Sequence, residues 1–155
     1  MVTSSSESKI AQSVAVGADG GVLYTDAAWP EEAKRLTPGG RGFDVVLDTV
    51  GTWTDSLRAL RPGGRLVVLG ASRNETAAVD VRSFYFAQQS ILGTTMGSAS
   101  DFRGLLAMLE AGSIPPPRVD RVFPLSEAGA AHRALEAGGA FGKIILDIDS
   151  PGGTS

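Results

Sequence analysis

Residues 43–51, Phe-Asp-Val-Val-Leu-Asp-Thr-Val-Gly, decide the fold prediction for this chain. Val45, Val46 and Leu47 form a short apolar run without polar alternation, which is typical of a strand buried on both faces. A second such run lies at residues 65–70, and the segment between the two carries Trp53 and Leu57 at helical spacing. Because this order is strand, helix, strand, we predict a parallel sheet flanked by helices.

The alternation continues on both sides of this stretch. Before it we predict a strand end at residues 2–3, a helix capped by Ser6 and ended by Gly17, a strand at 22–24, and a helix with Pro30 in its first turn. After it we predict an irregular or partly helical segment at 73–89, a strand at 90–97, a helix capped by Ser100, and strands at 119–125 and 143–148 around a helix at 126–137. The helix after Ser100 is expected to turn four apolar side chains inward: Phe102, Leu105, Leu106 and Leu109.

These elements indicate a single domain over residues 1–148, followed by a disordered tail at 149–155. We expect residues 1–100 to form a partial nucleotide-binding unit and residues 101–148 a helix–strand–helix–strand segment.

Composition excludes several function classes. The formal net charge is -3 and no basic block occurs, so neither nucleic acid nor an anionic membrane is an expected partner. The chain has no cysteine, which excludes disulfides and thiolate metal sites and fits a reducing compartment. No run of eighteen apolar residues and no signal-peptide core occurs, so we expect a cytoplasmic protein.

The candidate ligand site is the set of segments that follow the predicted strands. Ligands of open parallel sheets bind beyond the carboxyl ends of the strands. Here those ends are residues 3–6, Tyr24, 48–51 and 69–72, which are rich in glycine and small residues. Such residues let a flat ligand approach the backbone, although each glycine alone could simply form a turn.

Five stretches carry a family resemblance: VTSSSESKIAQSVAVGADGGVLYTD, FDVVLDTVG, LRPGGRLVVLG, ILGTTMGSASDF and VDRVFPLSEAGAAHRALEAGGAFGKIILDI. In this order they resemble the carboxyl-terminal part of the medium-chain dehydrogenase/reductase superfamily, closest to its quinone oxidoreductase-like, zinc-binding alcohol dehydrogenase-like members. The resemblance implies an α/β fold with an incomplete Rossmann-like parallel sheet. It also implies an NADPH-dependent reductase that acts on an activated double bond or a quinone.

The resemblance further implies which residues contact NADP(H). Ser4, Ser5 and Ser6 stand where NAD-preferring members carry an acid, which would repel a 2′-phosphate. The implied contacts run from the 2′-phosphate to the nicotinamide and end with two residues that close the cofactor cleft. They are Ser4, Ser5, Ser6, Lys9, Tyr24, Thr49, Val50, Gly51, Gly70, Ala71, Met96, Gly97, Gly142 and Lys143.

Plain structural roles remain open for several of these residues. The alternative for Ser6 is that it caps a helix and has no contact with a cofactor. The alternative for Met96 is that it packs in the core. The sequence assigns no proton donor; Ser72 and Tyr85 are polar candidates near the predicted site, for which ordinary packed or exposed roles are favoured.

Zinc is not expected despite the family's label. A catalytic zinc needs three protein ligands, whereas this chain has one histidine, His132, and no cysteine. A packed or capping role is the favoured interpretation of His132.

The sequence departs from the family pattern in one respect. No G-x-G-x-x-G turn occurs, and we interpret the chain as beginning at the second Rossmann strand, without the first strand and its pyrophosphate loop. Such a chain could be a fragment or a mis-started reading frame that folds poorly alone, it could pair with a second copy or a complementing chain, or it could close its own sheet. The alternative function is a non-redox relative, either a binding or dimerisation module or a repurposed cyclase or isomerase for a hydrophobic small molecule.

Overall fold

The computed structural model describes residues 1–149. The chain divides into two compact units, Met1–Met96 and Gly97–Ser155, which we describe separately. That the two units form one domain stays a prediction. The predicted tail covers residues 149–155, and all of it except Asp149 lies outside the described residues. Among residues 1–149, no helix has both the length and the apolar character needed to cross a bilayer.

The first unit alternates strands and helices. Its elements are β1 (Val2–Ser4), α1 (Glu7–Ala15), β2 (Gly21–Leu23), α2 (Trp29–Arg35), a 3₁₀ turn (Pro38–Gly40), β3 (Phe43–Asp48), α3 (Trp53–Ala59), β4 (Leu60–Val68), α4 (Val81–Phe86) and β5 (Ser90–Gly93). The second unit contains α5 (Ala99–Glu110), β6 (Val119–Pro124), a 3₁₀ turn (Leu125–Glu127), α6 (Ala128–Glu136) and β7 (Lys143–Asp147).

The helix caps follow from local hydrogen bonding. The Ser6 side chain accepts a hydrogen bond from the backbone N–H of Lys9, which confirms Ser6 as the cap of α1. The predicted cap of α5 at Ser100 is wrong, because Ser98 occupies that position. The Asp101 carboxylate accepts a hydrogen bond from the Ser98 backbone N–H at 2.8 Å, and the Ser98 hydroxyl oxygen accepts one from the Asp101 backbone N–H. The two residues therefore form a capping box.

All strand pairs in the described residues are parallel, as predicted. β1 pairs with β2, β4 lies between β3 and β5, and β6 pairs with β7. β1 does not pair with β3 anywhere in the described part of the chain, so the sheet has not closed on itself there. One edge of β1 and one edge of β3 are therefore left without a strand partner.

The core of the first unit consists of two apolar clusters. One joins Val22, Trp29, Ala33 and Ala59, and the other joins Leu57, Leu60 and Leu66. Leu66 lies on the central strand β4 and is fully buried, with a relative exposure of 0%. The core therefore lies on β2 and β4 and under α2 and α3.

Two predictions of burial are wrong. The sequence predicts β3 to be buried on both faces, yet Val45 and Leu47 are 42% and 68% exposed. They are two residues apart and so point to the same face of β3, which is left uncovered there. None of the apolar side chains on α5 is buried in the described residues, and Phe102 is 60% exposed. An amphipathic stripe predicts which face would be covered, not whether a covering element is present.

Candidate functional site

A cleft of about 510 Å³ lies between β1 and β3 in the first unit. We call it the β1–β3 cleft. β1 lines one side with Val2 and Thr3, and β3 lines the other with four consecutive residues, 45–48. Because consecutive strand residues point to opposite faces, a cleft that touches all four runs along the strand edge rather than over one face.

At the carboxyl ends of the strands the cleft brings together three residues that the sequence predicted for the site. Tyr24 follows β2, and Thr49 and Val50 follow β3; all three line the cleft. Arg73, which the sequence analysis did not select, also lines it. The structure thus places Tyr24, Thr49 and Val50 in one cleft, and their contact with a cofactor stays a prediction.

Asp48 fixes the conformation of the loop that carries Thr49 and Val50. Its carboxylate accepts hydrogen bonds from the backbone N–H groups of Val50, Gly51 and Thr52 at 2.9, 2.8 and 2.9 Å. It also accepts from the hydroxyls of Thr52 and Ser56 at 3.1 and 3.0 Å. Since these bonds use both carboxylate oxygens, Asp48 has a structural role and is not a candidate general base.

The pKa of Asp48 reflects this network. Burial alone would raise the pKa of the carboxyl, whose residue is 3% exposed. The hydrogen bonds from Val50, Gly51, Ser56 and Thr52 stabilise the charged form and hold the pKa below its usual value of 3.8. Asp48 is therefore a buried anion whose charge is compensated by donors within its own loop.

Segment 73–74 is held against this loop at Gly51. Gly51 has a φ of +90°, and a Cβ at this position would overlap the carbonyl oxygen of Asn74. The Asn74 amide donates to the Gly51 carbonyl at 3.1 Å, and the Arg73 N–H donates to the Val50 carbonyl at 2.9 Å. Glycine is required at 51 because the two backbones touch, and this contact carries Arg73 into the cleft.

The side chain of Arg73 stacks on Tyr24. The guanidinium carbon lies 4.6 Å from the centre of the tyrosine ring, which is cation–π distance. Tyr24 is in turn fixed beside β1, because its N–H donates to the Ser4 carbonyl at 3.0 Å. Sequence reasoning missed Arg73 because it lies in a segment without regular periodicity.

The serine corner (Ser4, Ser5, Ser6) is ordered by its own backbone. The Ser4 hydroxyl oxygen accepts from the Ser6 N–H at 3.2 Å, and the Ser6 oxygen caps α1. In the described residues none of the three serines lines the β1–β3 cleft, and neither does Lys9; the β1 residues that line it are Val2 and Thr3. The corner therefore adjoins the cleft through Tyr24, and its contact with a cofactor stays a prediction.

The remaining predicted contacts divide between the two units. Gly70 follows β4 and approaches the Thr49 carbonyl so closely that a Cβ would overlap it, and Ala71 comes next in the chain. Met96 is 94% exposed, so the alternative that it packs in the core is wrong.

Gly97, Gly142 and Lys143 belong to the second unit. There, the Lys143 N–H donates to the Arg118 carbonyl at 2.8 Å, and Gly142 passes too close to that carbonyl for a side chain. The described contacts of Gly142 and Lys143 thus fix the start of β7. Their role toward a cofactor stays a prediction.

The two polar candidates for a proton donor do not line the cleft. Tyr85 lies on α4, is 56% exposed and stacks on Phe86 with ring centres 4.8 Å apart. Ser72 is exposed in the segment after β4. Neither residue acquires a catalytic assignment from the described structure.

The residues present do not fit a zinc ion. Within residues 1–149, no three His, Cys, Asp or Glu side chains gather closely enough to hold a metal. His132 is exposed on α6, whereas its neighbour Ala131 is the buried residue of that helix, so the packed interpretation of His132 is wrong. No step of chemistry can be derived through zinc from this chain's residues.

Comparison with known proteins identifies the family. A family model described as "Zinc-binding dehydrogenase" matches residues 16–146. A zinc-type alcohol dehydrogenase-like protein of Schizosaccharomyces pombe is 30% identical over 96% of this chain and 44% of its own length.

Solved structures give the same result. The crystal structure of an NAD-dependent alcohol dehydrogenase shares 37% identity and a TM-score of 0.85 over 94% of this chain and 43% of its own. A cobalt- and zinc-bound thermostable alcohol dehydrogenase from Pyrobaculum aerophilum shares 32% identity and a TM-score of 0.76 over 94% of this chain and 42% of its own. The chain thus spans less than half the length of these relatives. It belongs to the zinc-binding dehydrogenase family, within the medium-chain dehydrogenase/reductase superfamily.

Proposed function

We propose that this chain is the nucleotide-binding portion of an NADP(H)-dependent oxidoreductase. One observation carries the proposal: Tyr24, Thr49 and Val50, selected from sequence as cofactor contacts, all line one cleft, and all three lie at the carboxyl ends of parallel strands. This is the position at which doubly wound sheets bind their ligands. The volume of about 510 Å³ lies within the range of small-molecule sites.

The preference for a 2′-phosphate rests on the serine corner. No Asp or Glu occurs within Ser4–Ser6, so no carboxylate there would repel a phosphate dianion. Each serine hydroxyl retains a hydrogen that it can donate to a phosphate oxygen, because the observed bonds use Ser4 and Ser6 only as acceptors from backbone N–H groups. One of the similar solved structures is described as an NAD-dependent alcohol dehydrogenase, and that description applies to that protein.

The reaction we propose is reduction of an activated double bond or a quinone in a hydrophobic substrate, without zinc. When bound, the nicotinamide supplies the hydride. This chain's residues would hold the adenosine side through Tyr24, Thr49 and Val50, in a loop whose shape the buried Asp48 fixes.

Titration of the purified chain with NADPH, followed by nucleotide fluorescence and by heat, tests this proposal. We expect saturable binding that weakens in Lys9→Ala, since Lys9 lies one turn into α1 beside the serine corner. Lys34→Ala, which removes the same charge from α2, is the matched control and should bind as the parent does. No binding by a chain with a cooperative thermal transition would refute the proposal.

A second candidate is a non-redox relative: a binding or dimerisation module, or a cyclase or isomerase for a hydrophobic small molecule. The open edges of β1 and β3 favour the module, because unpaired backbone groups beside Val45 and Leu47 are a template for another strand. Strand pairing without NADPH binding would favour this candidate over the first.

As partner we propose a second copy of the chain or a complementing chain that covers these edges. The lack of cysteine and the absence of a basic block support a reducing, cytoplasmic location and argue against nucleic acid and membranes as partners.

A further inference from the structure

We propose that Arg73 is the residue that distinguishes a 2′-phosphorylated nucleotide from an unphosphorylated one in the β1–β3 cleft. The inference rests on the proposed function and adds to it a specificity-determining cation. The guanidinium would pair with the 2′-phosphate while stacked on Tyr24, opposite the donors of the serine corner.

The first step of the argument is position. Arg73 lines the cleft, and its guanidinium carbon lies 4.6 Å from the centre of the Tyr24 ring. The Tyr24 backbone is bonded to the Ser4 carbonyl at 3.0 Å, so one tyrosine links the arginine to the serine corner. Tyr24 therefore contacts Arg73 through its ring and the serine corner through its backbone.

The second step is charge. Three other arginines of the described chain, Arg58, Arg61 and Arg121, form ion pairs with carboxylates. No ion pair joins Arg73 to a carboxylate among residues 1–149. The other charged residue lining the cleft, Asp48, has its carboxylate oxygens bonded to its own loop. An incoming anion could therefore pair with Arg73 without first displacing a carboxylate from it.

The third step is chemistry. A guanidinium presents its N–H donors in a planar fork that matches phosphate oxygens, and it can stack on an aromatic face at the same time. The backbone holds this arrangement, since the Arg73 N–H donates to Val50 and the Asn74 side chain donates to Gly51. The arginine therefore needs little reordering to bind a phosphate, which reduces the entropic cost of binding.

The test compares 2′,5′-ADP with 5′-AMP, which differ only in the 2′-phosphate. We would measure their dissociation constants calorimetrically for the parent chain and for Arg73→Ala and Arg82→Ala. Arg82 is the matched control, because its guanidinium also stacks on an aromatic ring, that of Phe86 at 5.8 Å, but does not line the cleft.

We expect Arg73→Ala to weaken 2′,5′-ADP on the order of ten- to hundredfold and 5′-AMP by less than about threefold. Arg82→Ala should stay close to the parent for both nucleotides. The preference of the parent for 2′,5′-ADP should also fall as salt rises, and this salt dependence should be lost in Arg73→Ala.

The inference is overturned if the parent chain does not prefer 2′,5′-ADP, if Arg73→Ala weakens both nucleotides equally or neither, or if Arg82→Ala matches its effect. Failure of the proposed function has a different signature: 2′,5′-ADP binds in an Arg73-dependent way while NADPH does not bind.

Discussion

The carboxylate of Asp48 and the hydroxyl of Ser56 lie 3.0 Å apart and are both buried, so they join the end of β3 directly to the middle of α3. The same carboxylate receives the N–H groups of Val50, Gly51 and Thr52. The candidate site thus depends on one side chain that does not itself need to touch a ligand.

Asp48→Asn should destabilise the chain by about 2–3 kcal/mol, because an amide replaces one acceptor oxygen by a donor that faces other donors. Chemical denaturation measures this change. Asp44→Asn is the control: Asp44 is exposed on the same strand, and its pair with Arg61 is a surface pair, so we expect a change below about 1 kcal/mol. Equal effects of the two substitutions would contradict the structural role of Asp48.

Stability should also fall in acid through Asp48. Its pKa in the folded chain is lowered from 3.8, so the unfolded state binds the proton more readily. The stabilisation by charged Asp48 is therefore complete above the pKa that this carboxyl has in the unfolded chain. It is lost as the pH falls through the pKa that the carboxyl has in the folded chain. We expect the difference in unfolding free energy between the parent and Asp48→Asn to narrow below about pH 4. A difference that stays constant from neutral pH to pH 2 would show that the charge of Asp48 does not matter.

Gly51→Ala should be more destabilising than Gly17→Ala. Both glycines have positive φ, +90° and +111°, so each alanine carries a backbone cost of about 1–3 kcal/mol. Only at Gly51 does a Cβ overlap another backbone, that of Asn74, whereas nothing lies within 4 Å of a Cβ at Gly17. The extra loss at Gly51 should be about 1–3 kcal/mol, measured by thermal or denaturant unfolding. Indistinguishable losses would mean that segment 73–74 is not held against the 48–52 loop.

Leu47→Lys should reduce self-association of the chain. Leu47 is 68% exposed at the open edge of β3, and lysine is a residue that disfavours edge-to-edge strand pairing. Leu36→Lys is the control, because Leu36 is 55% exposed at the end of α2 and does not line the cleft. Sedimentation or light scattering over a concentration series should show about tenfold weaker association for Leu47→Lys alone. A parent chain that is monomeric throughout the series would contradict the proposed second copy.

Zinc should neither bind stoichiometrically nor stabilise the chain. The described residues offer no cluster of three ligands, and a single exposed histidine such as His132 cannot complete a site. Metal analysis after dialysis against zinc should give a substoichiometric content in both the parent and His132→Ala. One retained zinc per chain, lost in His132→Ala, would contradict this prediction.

The sequence predicted much of the fold because its signals are local. Continuous apolar runs such as 45–47 and 66–69 predicted the strands, and Ser6 with Glu7 predicted the start of α1. The order of motifs predicted the family, and the family model confirmed it. The family resemblance implied Tyr24, Thr49 and Val50 as cofactor contacts, and their place at the carboxyl ends of strands agrees with it, because the carboxyl ends of parallel strands share one edge.

Burial and the contacts around the site were decided only by the tertiary structure. Whether Leu47 is covered depends on which element packs on its face of β3, and its own apolar character carries no information on whether that element is present. The choice of Ser98 over Ser100 depends on which hydroxyl reaches Asp101. Arg73 and Tyr24 are distant in sequence and meet only because two backbones touch at Gly51 and Asn74, a contact that leaves no periodic trace in the chain.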